Sequence, residues 1–421
     1  MSGIGCIGGG GRRRQLDDDD RAPPKNRTPS DNPPTLRLLT INQQILLLCA
    51  RVRLNAEQRD QLIALCGEIN DWAELIQDAQ FRMIIPQVYR HLSAAGPVVP
   101  AAALEALREQ TVRLNMRSLQ FTALQRQLVT EVFQPLNVPY VFVKGVSLSA
   151  VYYPEGMARA LRDLDVLIPR DAMIAVAERL LTLGFSQPLG QAFNHAHGAA
   201  FQQRFSGMMN WVSPQGLLIE IKSEFDSEHQ RFVTDDLLNQ AQTHPIAGVK
   251  THVLPTATLC AYLAYHHLWH RLARLHWLVD IDAITAHKSF DHQAIMARAE
   301  QLNLPTMVAS MLRIHQAIAL SPDNPGARLE NAYDQVIWQG MEACLVGGYH
   351  TERYLRRAMS VRGVDQTTRG TPLQRWMKKT ARRFSPTVDD FSHLPLPPGW
   401  HFAYYLLRPP LWALRKIRSK C

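Results

Sequence analysis

The stretch from Pro139 to Ile168 constrains this chain most, because it sets a turn and a short helix-like segment between two apolar strand-like runs. The first run, Pro139-Tyr-Val-Phe-Val143, is rich in β-branched and aromatic residues and ends at Lys144-Gly145. The second is Leu161-Arg162-Asp163-Leu164-Asp165-Val166-Leu167-Ile168. Strand side chains alternate with a period of two, so Asp163 and Asp165 share one face while Leu164 points the other way into apolar surroundings. Two carboxylates so placed converge on one hard cation, and Mg²⁺ is commonly held by one or two carboxylates together with substrate phosphates. The expected cofactor is therefore Mg²⁺ or Mn²⁺, and the expected chemistry is phosphate-linked.

The Lys144-Gly145 turn points the same way by a separate route. An apolar run that ends in Lys-Gly and passes into a helical pattern sets a permissive backbone beside helix amides, a place that binds anions. Gly145 lets the main chain approach a phosphate, Ser147 offers a hydroxyl near the helix start, and Lys144 brings a point charge. Each signal has a bland counterpart, since Asp-x-Asp occurs on solvated strand ends and glycine after a strand is ordinary turn chemistry. Their order along the chain, with one short helix between them, carries the phosphate reading.

These residues resemble a known family. Val143-Lys144-Gly145, then Tyr152-Tyr153-Pro154, then Arg162-Asp163-Leu164-Asp165-Val166-Leu167 are similar to the signature of the uncharacterised nucleotidyltransferase family, a branch of the DNA polymerase beta-like nucleotidyltransferase superfamily. Upstream, Asp71-Trp72, Ala79 and Pro86-Gln87-Val88-Tyr89 resemble the family's helical N-terminal segment. Downstream, His266, His270, Leu275, Trp277 and Asp280 resemble its His-rich helix, and Leu407-Arg408-Pro409 is similar to its tail, so the resemblance spans roughly residues 40 to 415. It implies that Asp163 and Asp165 are the paired metal carboxylates and that Glu220, in Leu217-Leu218-Ile219-Glu220-Ile221-Lys222, is the third. Two departures stand out. The family often carries Asp then His where this chain has Glu220 and Lys222, and the superfamily's adjacent Gly-Ser pair is spread here into Gly145-Val146-Ser147.

The activity the resemblance implies is in-line transfer of a nucleoside monophosphate from a nucleoside triphosphate to an acceptor, with pyrophosphate leaving. Metal ions would neutralise developing charge while a carboxylate deprotonates the acceptor hydroxyl. Arg162 is positioned to brace the triphosphate, or to form a surface salt bridge. His266 and His270 lie one helical turn apart, a spacing that two zinc-binding imidazoles can share. The position after His266 holds His267 rather than the Glu of a metalloprotease helix, and no third ligand lies nearby. The preferred reading is a helix that packs and closes over the nucleotide side, as the resemblance implies, with Asp280 and Asp282 as solvated charges at its end.

The expected fold class is α+β: a small mixed-sheet nucleotidyltransferase core flanked by helical N-terminal and C-terminal regions. Residues 1–36, with Gly8-Gly9-Gly10-Gly11, Arg12-Arg13-Arg14 and Asp17-Asp18-Asp19-Asp20, read as a disordered tail. Residues 37–130 show helical periodicity. The α/β core covers 131–235, with strands over 140–144, 163–168, near Ala199–Phe205 and near Leu217–Ile221, and a helix over Ala172–Leu183. Residues 236–370 return to helix, and 371–421 form a basic aromatic tail. Hydrophobic content of 46% in 421 residues suits two or three packed units. The six cysteines are scattered without a Cys-x-x-Cys pair, which argues against a disulfide framework or zinc ribbon and fits a reducing compartment. With no apolar run long enough to span a bilayer and no signal-like apolar core, cytoplasmic residence is expected.

Residues 371–421 hold ten Lys or Arg against two acids, so +8 of the formal +9 charge lies there. Interleaved Trp376, Phe384, Trp400, Tyr404, Tyr405 and Trp412 give three readings: aromatics packed on the helical region with charges solvated, peripheral contact with an anionic membrane, or contact with nucleic acid, in that order of preference. Two functions stay open. One is a metal-dependent nucleotidyltransferase acting on a small-molecule, peptide, glycan or protein acceptor. The other is a catalytically weak or inactive protein of toxin-antitoxin or accessory biosynthetic type that uses the pocket only to bind nucleotide.

Overall fold

A computed structural model describes residues 39–225, 231–269, 274–347 and 385–408, and the architecture is α+β. The N-terminal helices begin where the sequence supplies caps. α1 (Ile41–Cys49) starts with a reciprocal Thr40–Gln43 capping box and α2 (Ala56–Cys66) with an Asn55–Gln58 box. Asp71 accepts from two amides at the start of α3 (Trp72–Phe81), and proline sits in the first turn of α4 (Ile85–Ser93). The long α5 (Ala101–Gln127) runs into a π-helical stretch, Leu128–Phe133, that delivers the chain to the sheet.

Six strands form one mixed sheet: β1 (Val141–Phe142), β2 (Asp163–Leu167), β3 (Met208–Val212), β4 (Leu218–Lys222), β5 (Gln242–Ile246) and β6 (Val249–Val253). Their spatial order is β3-β4-β2-β1-β6-β5. β2 runs parallel to β4 and antiparallel to β1, while β1 is parallel to β6. α6 (Val146–Tyr152) connects β1 to β2, and α7 (Met173–Thr182) and α8 (Ala196–Phe205) lie between β2 and β3. Leu164, Val166, Ile219, Ile221 and Trp211 form one apolar core with Phe133 and Val176. On the other face, Val141, Val143 and Leu167 join the core shared by the N-terminal and C-terminal helices. That core contains Leu46, Leu75 and Val88 together with Leu263, Leu278, Ile314 and Trp338.

The C-terminal helices are α9 (Thr234–Asn239), α10 (Thr256–Trp269), α11 (Leu275–Thr285), α12 (His292–Gln301), α13 (Pro305–Leu320), α14 (Ala332–Gly347) and α15 (Val388–His393). Two local expectations are corrected. Ala199–Phe205 is helix, not strand: His195 caps α8 through its ring nitrogen, and Phe201 and Phe205, four apart, bring their rings to 4.9 Å. β3 replaces it in the sheet. The sheet also continues past residue 235, because β5 and β6 form a hairpin through Ala247 and Gly248, both with positive φ.

Near the C-terminus the aromatics divide. Phe391 and Tyr404 are buried against Phe193 and Phe201, whereas Trp400, Phe402, Tyr405 and Leu406 are exposed. Trp376, Phe384 and Trp412 lie outside the described residues, as do residues 1–36. Among the described residues no helix is long and apolar enough to cross a membrane.

Candidate active site

The polar residues of the sheet collect on the face turned toward α10. In the parallel pair of β2 and β4, Asp165 stands opposite Glu220, and in the antiparallel pair of β3 and β4, Asn210 stands opposite Glu220. Directly opposed residues share a face, so Asp165, Glu220 and Asn210 form a row across three strands, with Asp163 and Lys222 one pleat away at either side. Gly145 follows β1 and caps α6 with φ of +71°. That conformation disfavours an L side chain, and it turns Lys144 toward the carboxylates as α6 begins.

Two lysines close on Asp165. Lys222 Nζ lies 2.7 Å from Asp165 Oδ1 and 2.7 Å from Glu220 Oε2, while Lys144 Nζ lies 3.0 Å from Asp165 Oδ2. Asp165 is fully buried, and burial alone would push its carboxyl up, yet the two adjacent ammonium groups hold it far below the usual carboxylate range. Burial likewise opposes the charge on Lys222, but Asp165 and Glu220 hold its ammonium well above its ordinary value. Asp163 has the opposite fate: burial, then the nearby charge of Asp165, raises its carboxyl. No ion pair neutralises it among the described residues.

The remaining expected site residues are placed differently. Ser147 is buried and donates its hydroxyl to Gln125 Oε1 at 3.2 Å, so it belongs to the contact between α6 and α5 and not to the carboxylate cluster. Arg162 is exposed just before β2. His266 is half-buried, its ring 5.8 Å from those of Tyr262 and Trp277, and His270 lies outside the described residues. Asp280 and Asp282 are not solvated, because α11 is buried from Leu275 to Ile284. Arg159 grips Asp280 with two hydrogen bonds of 2.7 Å, Tyr153 donates a third, and Asp282 accepts from Arg51, His315 and the Val52 amide. These are internal braces.

Sequence reasoning missed two neighbours of the cluster and the role of a third residue. Lys222 was legible only as a departure; its spacing of two from Glu220 on a strand is the signal that places both on one face. Tyr262 on α10 is buried and feels both ammonium groups, which pull its phenol down against a larger upward push from burial. Asn210, opposite Glu220, keeps a buried Oδ1 without a hydrogen bond among the described residues. Its strand is bounded by Gly207 and the Ser213–Gly216 turn, a hairpin signal on either side of β3.

A divalent ion needs free carboxylate oxygens, and here three of the six are engaged, including both of the central Asp165. Both oxygens of Asp165 and one of Glu220 face ammonium groups, leaving Asp163 and a single oxygen of Glu220. Among the described residues no group of three or more His, Cys, Asp or Glu is arranged to hold a metal ion. The arranged side chains do not fit the three-carboxylate centre that the resemblance implies.

A mixed sheet carrying this carboxylate row, entered through a Lys-Gly turn and flanked by helices on both sides of the sequence, defines the class of protein. Residues 68–319, more than half of the chain, match the family described as uncharacterised nucleotidyltransferase, and the chain belongs to that family. No curated protein matches the sequence.

Proposed function

We propose that this chain transfers a nucleoside monophosphate from a nucleoside triphosphate to an acceptor hydroxyl at the Asp163–Asp165–Glu220 face of the sheet. The observation that supports this reading best is the register of β2 and β4, which aligns the Asp-x-Asp pair with Glu220 beside two half-buried lysines. α6 has seven residues and therefore a small dipole, so Lys144 and Lys222 supply most of the positive charge for the triphosphate. Among the described residues Asp163 is the carboxylate of the cluster without an ion pair, and its pKa is raised, which suits a general base. In the proposed step the acceptor oxygen bonds to the α-phosphorus and gives its proton to Asp163. The bond from the α-phosphorus to the bridging oxygen breaks, and pyrophosphate leaves. No step is assigned to a resident metal, because the side chains present do not fit one.

A second reading, nucleotide binding without transfer, draws on Ser147, Glu220 and Lys222, which depart from the pattern that the resemblance implies. One measurement separates them. Each of the four ribonucleoside triphosphates is offered to the wild-type chain and to Asp163→Asn, with Mg²⁺ or with a chelator, while nucleotide binding and pyrophosphate release are followed. Release that vanishes in Asp163→Asn while binding persists supports transfer. Binding with no release from any triphosphate in wild type favours the second reading.

A further inference from the structure

We infer that the ammonium of Lys222 takes the place of a bridging divalent cation in this centre. The inference rests on the cluster being the nucleotide site, yet its test needs neither nucleotide nor turnover, so either reading can fail alone. A bridging cation contacts carboxylates from two strands at once, and Lys222 Nζ does so at 2.7 Å to Asp165 on β2 and 2.7 Å to Glu220 on β4. Lys222 lies two residues beyond Glu220, and its side chain folds back along the strand over about 7 Å, within reach of a four-carbon stem. The lysine side chain is 15% exposed and that of Asp165 is 0% exposed. A metal entering between them must displace the ammonium toward buried Tyr262 or tolerate a cation at contact distance, and both are unfavourable.

The charge count agrees. Asp163, Asp165 and Glu220 carry three negative charges and the lysines two positive ones, leaving a formal −1 where a bare carboxylate triad would hold −3. The larger charge is what draws a divalent ion from water. Lys144 already covers the second oxygen of Asp165, so removing Lys222 does not leave that buried carboxylate without a counter-charge. Lys222 is therefore a replaceable cation, and its removal opens oxygens on Asp165 and Glu220 to a metal.

The probe is Mn²⁺ alone, titrated into the full chain and followed by electron paramagnetic resonance of the free ion. Wild type is expected to show no saturable site below millimolar Mn²⁺. Lys222→Met, similar in length and uncharged, is expected to gain one site at least tenfold tighter, and adding Glu220→Gln is expected to remove it. A saturable micromolar site in wild type that Asp163→Asn abolishes overturns the inference. So does a folded Lys222→Met, checked by circular dichroism, that gains no Mn²⁺ affinity. Should Lys222→Met fail to fold, the wild-type titration decides by itself: the micromolar site overturns the inference, and its absence up to millimolar Mn²⁺ supports it.

Discussion

The Arg159–Asp280 pair and the Lys222–Asp165 pair each hold a fully buried carboxylate and both close at 2.7 Å, yet their surroundings are charged in different proportion. Around Asp280 one carboxylate meets one guanidinium in a two-pronged grip, with Tyr153 donating a further hydrogen bond. The charges balance and the planar fork fixes both oxygens. Around Asp165 three carboxylates meet two lysines, and Asp163 is left with a raised pKa that costs the folded state. Lysine is a point charge on a rotatable stem, able to exchange a carboxylate for a phosphate. The contrast separates a brace from a candidate site: the brace is satisfied, and the sheet face stores unrelieved charge.

The largest effect is expected at the brace. Asp280→Asn leaves the buried Arg159 without its counter-charge and should cost about 3–5 kcal/mol of stability in a denaturant titration. A loss below about 1 kcal/mol would show that the pair is dispensable and collapse the comparison. At the site the order of effects reverses. Asp163→Asn should lower nucleotidyl transfer on the order of 100-fold, the scale of a general base, while leaving the melting temperature unchanged or raised. A melting temperature that falls as steeply as in Asp280→Asn would place Asp163 among the braces.

A smaller change is expected at the turn between the two regions. Gly145 has φ of +71° with only ordinary van der Waals neighbours around its missing Cβ, so Gly145→Ala strains the backbone without a clash. The cost should be about 1–3 kcal/mol, read from the same denaturant titration, with a loss of nucleotide affinity as Lys144 shifts. Unchanged affinity would detach the turn from the nucleotide.

Acid titration of stability sharpens the comparison further. For Asp282 burial pushes the carboxyl up, but the hydrogen bond from His315 and the charges of His315 and Arg51 outweigh it, so its native pKa is depressed. The stability it contributes is present above the ordinary value of 3.8 and is lost as pH falls through the lower native value. Asp163, raised from 3.8, does the reverse: its contribution is full below that value and is lost as pH rises through the native pKa. Asp282→Asn should flatten the fall in stability below pH 3.8, and Asp163→Asn should remove an opposing slope just above it. Slopes of the same sign in both variants would refute the distinction.

Much of the site was legible because strand periodicity is local. Asp163 and Asp165 had to share a face once β2 was a strand, and Glu220 marked itself as a carboxylate in an apolar run. The Lys144-Gly145 turn was readable for the same reason. The hairpin of β5 and β6 was not, since its Ala247-Gly248 turn is a weaker signal than Asn-Gly and Pro245 interrupts its strand pattern. Asp280 and Asp282 misled because acids at a helix end are ordinarily solvated, and only the packing of α11 on every side forces them to take partners. Ser147 misled in the opposite sense, its hydroxyl being claimed by Gln125 on α5.

The sequence by itself determined the family, the α+β class and which acidic residues of β2 face one way, because alternation and motif order act over a few residues. Only the tertiary structure decided which charges meet. Lys222 and Asp165 are 57 residues apart in the chain, and the parallel pairing of β2 with β4 brings them to 2.7 Å. Electrostatic energy depends on distance and burial, and neither is written along the chain.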